Sequence, residues 1–257
     1  MSAASTLSPL APLLNVEKQI TLPPEVKNWP FKQTDFHRQD TSSDSLWYAQ
    51  PRFVTHIDDA CIEALTNVYS QILQPNDAVL DLCSSWISHF PTPSTTSLGN
   101  VIGLGLNQQE LAANRRLSSF VVQDLNTDPT LPFDDNSFDV ITNAVSVDYL
   151  AQPKQIFQEM FRTLKPNGTA VMAFSNRMFP TKVVDIWLRV NEEERVRIVE
   201  TYFVHCGANF ENVAGYKMIT GNGGDPLYVV LGQKPGIKEQ PTVELEEEGK
   251  GSSRSTL

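Results

Sequence analysis

Two short polar stretches carry side chains that can take part in chemistry. Asp148 and Tyr149 supply a carboxylate and a phenol, which can position a nucleophile or accept its proton. The second stretch, residues 83–85, reads Cys-Ser-Ser and directly follows a short apolar segment with Asp81 near its end. Asp148 suits equally well the N-cap of a helix that begins near Pro153, so its role stays open between catalysis and capping.

The histidines and cysteines do not form a metal-binding pattern. The four histidines lack the spacing of metal ligands, and the three cysteines include no Cys-X-X-Cys pair. We therefore expect no metal site, and we expect buried free thiols of the kind found in a reducing compartment.

The composition indicates a soluble protein that does not bind nucleic acid. The chain has 257 residues, a net charge of −10 and a pI of about 4.9, and an acidic surface repels phosphate backbones. The apolar runs are far shorter than the ~20 residues that cross a bilayer. The first fourteen residues contain no Lys or Arg, which argues against a signal or transit peptide. We expect a cytoplasmic protein without nucleic-acid or membrane partners; organellar import and oligomeric state stay open.

Strand-like and helix-like patterns alternate through the middle of the chain, which predicts an α/β fold with a mostly parallel sheet and helices on both faces. Ligands of such sheets bind at the carboxyl ends of the strands, so the end of the first strand, at Asp81, is the expected site. The predicted strands span residues 78–82, 101–104, 120–122, 139–142, 169–174, 213–219 and 227–231, and the predicted helices span 57–73 and 108–117 and begin near Pro153 and at a capping box at Asn191.

The ends of the chain differ from this middle part. We predict an N-terminal arm over residues 1–56, a domain over 57–235 and a disordered acidic tail over 236–257. Residues 1–30 contain five prolines and are expected to be irregular. Charged and aromatic residues alternate over 36–56, which predicts either a cover over the ligand pocket or a surface clasp held by ion pairs of Arg38 and Arg52.

Four segments together resemble a known family. They read Val-Leu-Asp-Leu-Cys-Ser-Ser at 79–85, Val-Ile-Gly-Leu-Gly-Leu-Asn at 101–107, Gln-Asp-Leu-Asn followed by Leu-Pro-Phe to Phe-Asp-Val-Ile over 123–141, and Leu-Lys-Pro-Asn-Gly at 164–168. Residues 76–176 thereby resemble class I S-adenosylmethionine-dependent methyltransferases, in particular the type 11 group that includes the ubiquinone and menaquinone methyltransferases. The resemblance implies a Rossmann-like sheet of seven strands, one of them antiparallel, with a divergent cofactor loop.

The resemblance also implies S-adenosyl-L-methionine as cofactor and assigns residues to it. Cys83, Ser84 and Ser85, with Asp81, stand where the family has a glycine-rich loop, and the serine hydroxyls can bond the cofactor carboxylate. Gly105 stands where the family has an acid that binds the ribose. Asn107 or Gln108 can replace that acid, although Asn107 is also a good N-cap for the following helix.

Three further positions follow from the same resemblance. Asp124 matches the acid that accepts from the adenine amino group, or it holds a turn with Asn126 and Thr127. Leu125 would pack on the adenine ring. Asn143 follows the fourth strand, where the methyl donor of the family usually lies.

The function implied is a methyltransferase for a small-molecule acceptor. The alternative is a non-catalytic binding or scaffold protein that has lost the cofactor glycines and the ribose acid. A dinucleotide-dependent oxidoreductase fits poorly, because Gly103 and Gly105 lie at the second strand and Gln108 stands in place of a third glycine.

Overall fold

Eight strands form a single sheet in the computed structural model, which describes residues 13, 15–221 and 223–237. From residue 238 on, the tail predicted to be disordered lies outside the described residues. In chain order the strands are β1 (Val16–Ile20), β2 (Val79–Leu82), β3 (Val101–Gly105), β4 (Ser119–Val122), β5 (Phe138–Ala144), β6 (Leu164–Phe174), β7 (Glu211–Met218) and β8 (Leu227–Gln233).

The strand order is β1-β7-β8-β6-β5-β2-β3-β4. Strands β2 to β6 are parallel to one another, whereas β8 is antiparallel to both β6 and β7, and β1 is antiparallel to β7. The predicted fold class is confirmed, but the sheet has eight strands rather than seven and two antiparallel strands rather than one.

The unpredicted strand β1 lies in the stretch that we expected to be irregular. Its sequence, Val-Glu-Lys-Gln-Ile, buries Ile20 but exposes the three polar residues in the middle, so it lacks the alternation of a core strand. It is an edge strand held by backbone pairing with β7, and charged side chains are common on such edges.

The helices are α1 (Asp44–Trp47), α2 (Asp59–Ile72), α3 (Gln108–Ala113), α4 (Pro153–Thr163), α5 (Asp185–Leu188) and α6 (Glu192–His205), with single 3-10 turns at Gln33–Phe36 and Val147–Tyr149. Helix α6 begins with the predicted capping box of Asn191 and Glu194. Helix α3 ends four residues before the predicted end, because Asn114 turns the chain and its amide donates to Ser85 O and Ser88 Oγ.

Strand β6 begins earlier than predicted. The Lys-Pro-Asn-Gly segment at 165–168 forms a bulge within it, since Phe138 pairs with Leu164 while Val140 pairs with Thr169. Asn167 lies in this bulge with φ +66°, a conformation that asparagine tolerates better than most residues.

Helices cover both faces of the sheet, as predicted. Alternate strand residues point to opposite faces, so Leu80 and Ile141 pack with α4 and α6, while Val79 and Val140 pack with α2. Among the helices of the described residues, none is long and apolar enough to span a bilayer.

Candidate active site

A cavity of about 300 Å³ lies at the carboxyl ends of four parallel strands. Asp81 of β2, Gly105 of β3, Asp124 after β4 and Ala144 of β5 all line it. The strand ends therefore meet around one cavity, in the position where open α/β sheets bind their ligands. The Trp86 indole does not fill it; its nitrogen donates to the Val54 carbonyl at 2.9 Å.

The loop after β2 crosses directly over the end of β3. Cys83 has φ +57°, so it keeps a left-handed conformation that normally favours glycine. The Ser84 amide donates to the Leu104 carbonyl at 2.8 Å. A Cβ at Gly105 would lie 2.1 Å from the Ser84 carbonyl oxygen, so this loop path requires glycine at position 105.

Asp81 is the buried anchor of this loop. Its carboxylate accepts from Ser84 Oγ at 2.6 Å, Ser88 Oγ at 2.7 Å and Thr142 Oγ1 at 2.9 Å. Burial raises the pKa of Asp81, and the three hydroxyl hydrogen bonds act in the opposite direction. The Ser84 hydroxyl proton is therefore engaged inside the protein rather than aimed at a ligand.

Glu110 is a cavity-lining acid outside the motifs that indicated the other site residues. It lies in α3, is 6% exposed, and accepts from Ser85 Oγ and from the Arg52 amide, both at 2.6 Å. An acid in the first turn of a helix is common because the helix dipole favours it. The sequence therefore offers no further reason to expect a ligand role.

Asn107 is the N-cap of α3, which confirms one of its two predicted roles. Its side-chain oxygen accepts from the Gln109 and Glu110 amides, and its amide donates to the Tyr48 carbonyl at 2.8 Å. These bonds connect the N-terminal arm to the first turn of the helix, in which Glu110 lies.

Asp124 and Leu125 follow β4 and line the cavity. Asp124 accepts from the Asn126 amide at 2.9 Å and from Thr127 Oγ1 at 3.0 Å, which confirms its predicted turn role. A carboxylate has about four acceptor positions, so these two bonds leave capacity for a ligand. Leu125 is 5% exposed and also belongs to the main core.

The N-terminal arm forms one wall of the cavity. The Arg52 guanidinium lies 5.0 Å, 5.4 Å and 5.3 Å from the rings of Trp47, Tyr48 and Phe179. Its Nη1 is buried without a hydrogen-bond partner among the described residues. The predicted clasp is present at Arg38, which pairs with buried Asp44 at 2.6 Å.

A buried lysine completes the clasp and was not predicted. Lys182 is 1% exposed, donates to the Ser42 carbonyl at 2.7 Å and lies 3.3 Å from Asp44. Because it comes from the loop before α5, no local pattern in the sequence connects it to the arm.

The candidate catalytic pair is divided between the cavity and the interior. Tyr149 lines the cavity, and its phenol oxygen accepts from the Phe179 amide at 2.8 Å. Asp148 is 3% exposed and lies in the 3-10 turn behind the wall. The alternative of Asp148 as the cap of α4 is wrong, because Gln152 is the N-cap there.

Asn143 is fully buried within the sheet. Its amide donates to the Leu82 carbonyl at 3.1 Å, and its Oδ1 has no partner among the described residues. The adjacent Ala144, Val145 and Ser146 line the cavity instead. Ala144 points away from Asn143 because successive strand residues point to opposite sides, and Val145 and Ser146 lie beyond the end of β5.

The buried Asp148 predicts a pH dependence of stability. Burial raises its pKa from 3.8 to about 8, so between these values the native state binds more protons than the unfolded state, and the free energy of unfolding falls as pH rises. We expect Asp148→Asn to remove this slope. Denaturant unfolding between about pH 5 and pH 8 should show the variant gaining stability relative to the wild type as pH rises. If the free energies of unfolding of the variant and the wild type differed by the same amount at every pH, Asp148 would not be protonated in the native state as its raised pKa implies.

Within the described part of the chain, no group of three or more His, Cys, Asp or Glu side chains could hold a metal ion. The three cysteines are free, and Cys61 and Cys206 are buried.

The sheet order and the cavity at the carboxyl ends of β2 to β5 define a Rossmann-like domain. Residues 86–172 match the model of the family described as "Methyltransferase domain", which confirms the resemblance inferred from the motifs. The match begins directly after the divergent loop at 83–85.

One curated relative and two solved structures illustrate the likeness. Demethylmenaquinone methyltransferase of Paenarthrobacter aurescens (strain TC1) is 32% identical over 79 residues, which are 31% of this chain and 30% of the relative. A chain of the complex between the Haloferax volcanii Trm112 methyltransferase activator and a methyltransferase has a TM-score of 0.50 at 17% identity, covering 69% of this chain and 91% of that one. Haemonchus contortus phosphoethanolamine N-methyltransferase 2, in complex with phosphomonomethylethanolamine and S-adenosylhomocysteine, has a TM-score of 0.50 at 14% identity, covering 80% and 60%. At these identities the structures show the fold.

Proposed function

We propose that this chain is an S-adenosylmethionine-dependent methyltransferase that acts on a small-molecule acceptor. The observation that carries the proposal is the cavity shared by the ends of β2 to β5, in a chain that matches the methyltransferase domain model over residues 86–172. Its volume of about 300 Å³ is at the lower end of the range for small-molecule sites.

The residues present fit an adenosyl ligand in two respects. Cys83 keeps the left-handed backbone that brings the loop close to a ligand. Asp124 keeps an acceptor, and Leu125 an apolar surface, at the cavity. The fit requires another group to bind the ribose, because Gly105 has no side chain and the Ser84 carbonyl lies against it.

Each wall of the cavity has a role in the proposed reaction. When bound, S-adenosylmethionine supplies an electrophilic methyl group on its sulfonium. Asp124 would orient the adenine, and residues 83–85 would contact the amino-acid part. Tyr149 would orient the acceptor through its phenol, with Asp148 behind it as a positioning residue. Since transfer is a direct displacement, positioning and exclusion of water by the arm are the main contributions of the protein.

A small acceptor is favoured by the way that the cavity is enclosed. The arm contributes Tyr48, Arg52 and His56 to the wall, so a macromolecule would have to displace it. The net charge of −10 also disfavours nucleic acids.

Transfer of a labelled methyl group tests this proposal. The full chain is incubated with methyl-labelled S-adenosylmethionine and a fractionated metabolite extract. We expect label to appear in a small-molecule fraction in an enzyme-dependent way. Binding of the cofactor without any transfer to small molecules would favour the scaffold function, which the altered loop and Gly105 otherwise support.

Substitution of Asp124 tests the orientation of the ligand. Asp124→Asn keeps one oxygen for the turn but replaces the second acceptor oxygen with an amide group that donates. We therefore expect roughly 10- to 100-fold weaker binding of S-adenosylhomocysteine. Calorimetric titration measures the change. Asp128→Asn is the matched control, because Asp128 is an exposed acid in the same turn that holds the Thr130 amide. Equal effects of the two substitutions would contradict the orientation.

A further inference from the structure

The position that carries the ribose-binding acid in the resembling family is closed in this protein. A Cβ at Gly105 would lie 2.1 Å from the Ser84 carbonyl oxygen and 3.2 Å from the Ser84 carbonyl carbon. Both are backbone atoms, and the Ser84 amide is itself bonded to Leu104. No rotation of a side chain can make room, so a carboxylate cannot enter the cavity from position 105.

A second carboxylate borders the same cavity from the next helix. Glu110 is 6% exposed and lines the cavity together with Gly105, and its backbone amide donates to the Asn107 cap. Its partners are the Ser85 hydroxyl and the Arg52 amide rather than a cationic side chain. Burying a carboxylate without a cation is unfavourable unless hydrogen bonds satisfy it.

The Glu110 carboxylate has unused acceptor capacity. Each of its two oxygens accepts one hydrogen bond from the protein, whereas a carboxylate can accept about four. The remaining positions suit a ligand with two neighbouring hydroxyl donors, which is the chemistry of a ribose 2′,3′-diol.

We propose that Glu110 binds the ribose hydroxyls of the nucleoside ligand and so replaces the acid that is missing at Gly105. This inference rests on the proposed function, because it presumes an adenosyl ligand in the cavity. The loop at 83–85 then has two connected roles. Its Ser84 carbonyl leaves no room for a side chain at position 105, and its Ser85 hydroxyl donates to the Glu110 carboxylate that replaces the missing acid.

A pair of ligands separates ribose binding from a structural role. We propose calorimetric titration of S-adenosylhomocysteine and of its 2′,3′-dideoxy analogue into the wild type and into Glu110→Gln. The wild type should prefer S-adenosylhomocysteine by roughly 10- to 100-fold. Glu110→Gln should lose most of this preference while binding the dideoxy analogue about as well as the wild type does. Glu63→Gln, which changes an exposed acid on α2, should keep the preference.

Three results would overturn the inference. These are an equal loss of affinity for both ligands in Glu110→Gln, an unchanged preference in that variant, and a wild type that binds both ligands equally. The last result needs no variant, so it decides the matter even if Glu110→Gln does not fold. A wild type that binds neither ligand would instead refute the proposed function.

Discussion

Gly105→Asp is expected to destabilise the protein and weaken nucleoside binding, although it restores the residue that the resembling family has at this position. The new Cβ would meet the Ser84 carbonyl oxygen at 2.1 Å, so the loop at 83–85 must move. Overpacking of this kind costs about 1–3 kcal/mol, sometimes more, which lowers the melting temperature by several degrees. Thermal unfolding and titration with S-adenosylhomocysteine measure both effects.

Gly105→Ala separates the shape of the site from its charge. Because the clash involves the Cβ itself, alanine should produce most of the loss of stability caused by aspartate. A Gly105→Asp variant that binds the ligand more tightly than the wild type would contradict the loop path and the proposed role of Glu110.

Asp81→Ala is expected to have the largest effect on stability. It removes the acceptor of three hydroxyls, from Ser84, Ser88 and Thr142, which connect the loop after β2 to β5. Each buried donor that is left without a partner costs about 1–3 kcal/mol. Because some of the hydroxyls can rotate to other acceptors, we expect the free energy of unfolding to fall by roughly 3–5 kcal/mol in total. Denaturant unfolding measures it, and ligand binding should be lost because the loop is no longer held.

Two controls belong to this measurement. Asp81→Asn keeps one acceptor oxygen and should lose less stability than alanine. Asp134→Ala removes an exposed acid and should change the free energy of unfolding by less than about 0.5 kcal/mol. If Asp81→Ala were as mild as Asp134→Ala, Asp81 would not be the anchor of the loop.

The sequence predicted the central elements well where a strong local pattern was present. The buried strands β2 and β5 are short apolar runs, and the capping box at Asn191 places the start of α6 correctly. Strand β1 was missed because its edge position leaves most of it exposed. Helix α3 was predicted too long because its end depends on contacts of Asn114 with the distant loop at 85–88.

The candidate site was only partly predictable for the same reason. The motifs indicated Asp81, Asp124 and Leu125 as site residues, and all three line the cavity. No local sequence pattern encodes how the loop at 83–85 crosses β3. That crossing explains why glycine is required at position 105 and why Glu110 is buried. Asn143 lies in β5 and Asp148 follows that strand, but the pleat of β5 and the 3-10 turn place both side chains behind the cavity wall.

Calorimetric titration of S-adenosylhomocysteine into the wild-type chain tests the central claim most directly. We predict saturable binding at one site per chain, lost in Asp81→Ala and weakened in Asp124→Asn. A ligand at about millimolar concentration stabilises any protein that binds it with a Kd well below that concentration. If neither a heat of binding nor a shift in melting temperature were seen under these conditions, the cavity would not be a cofactor site.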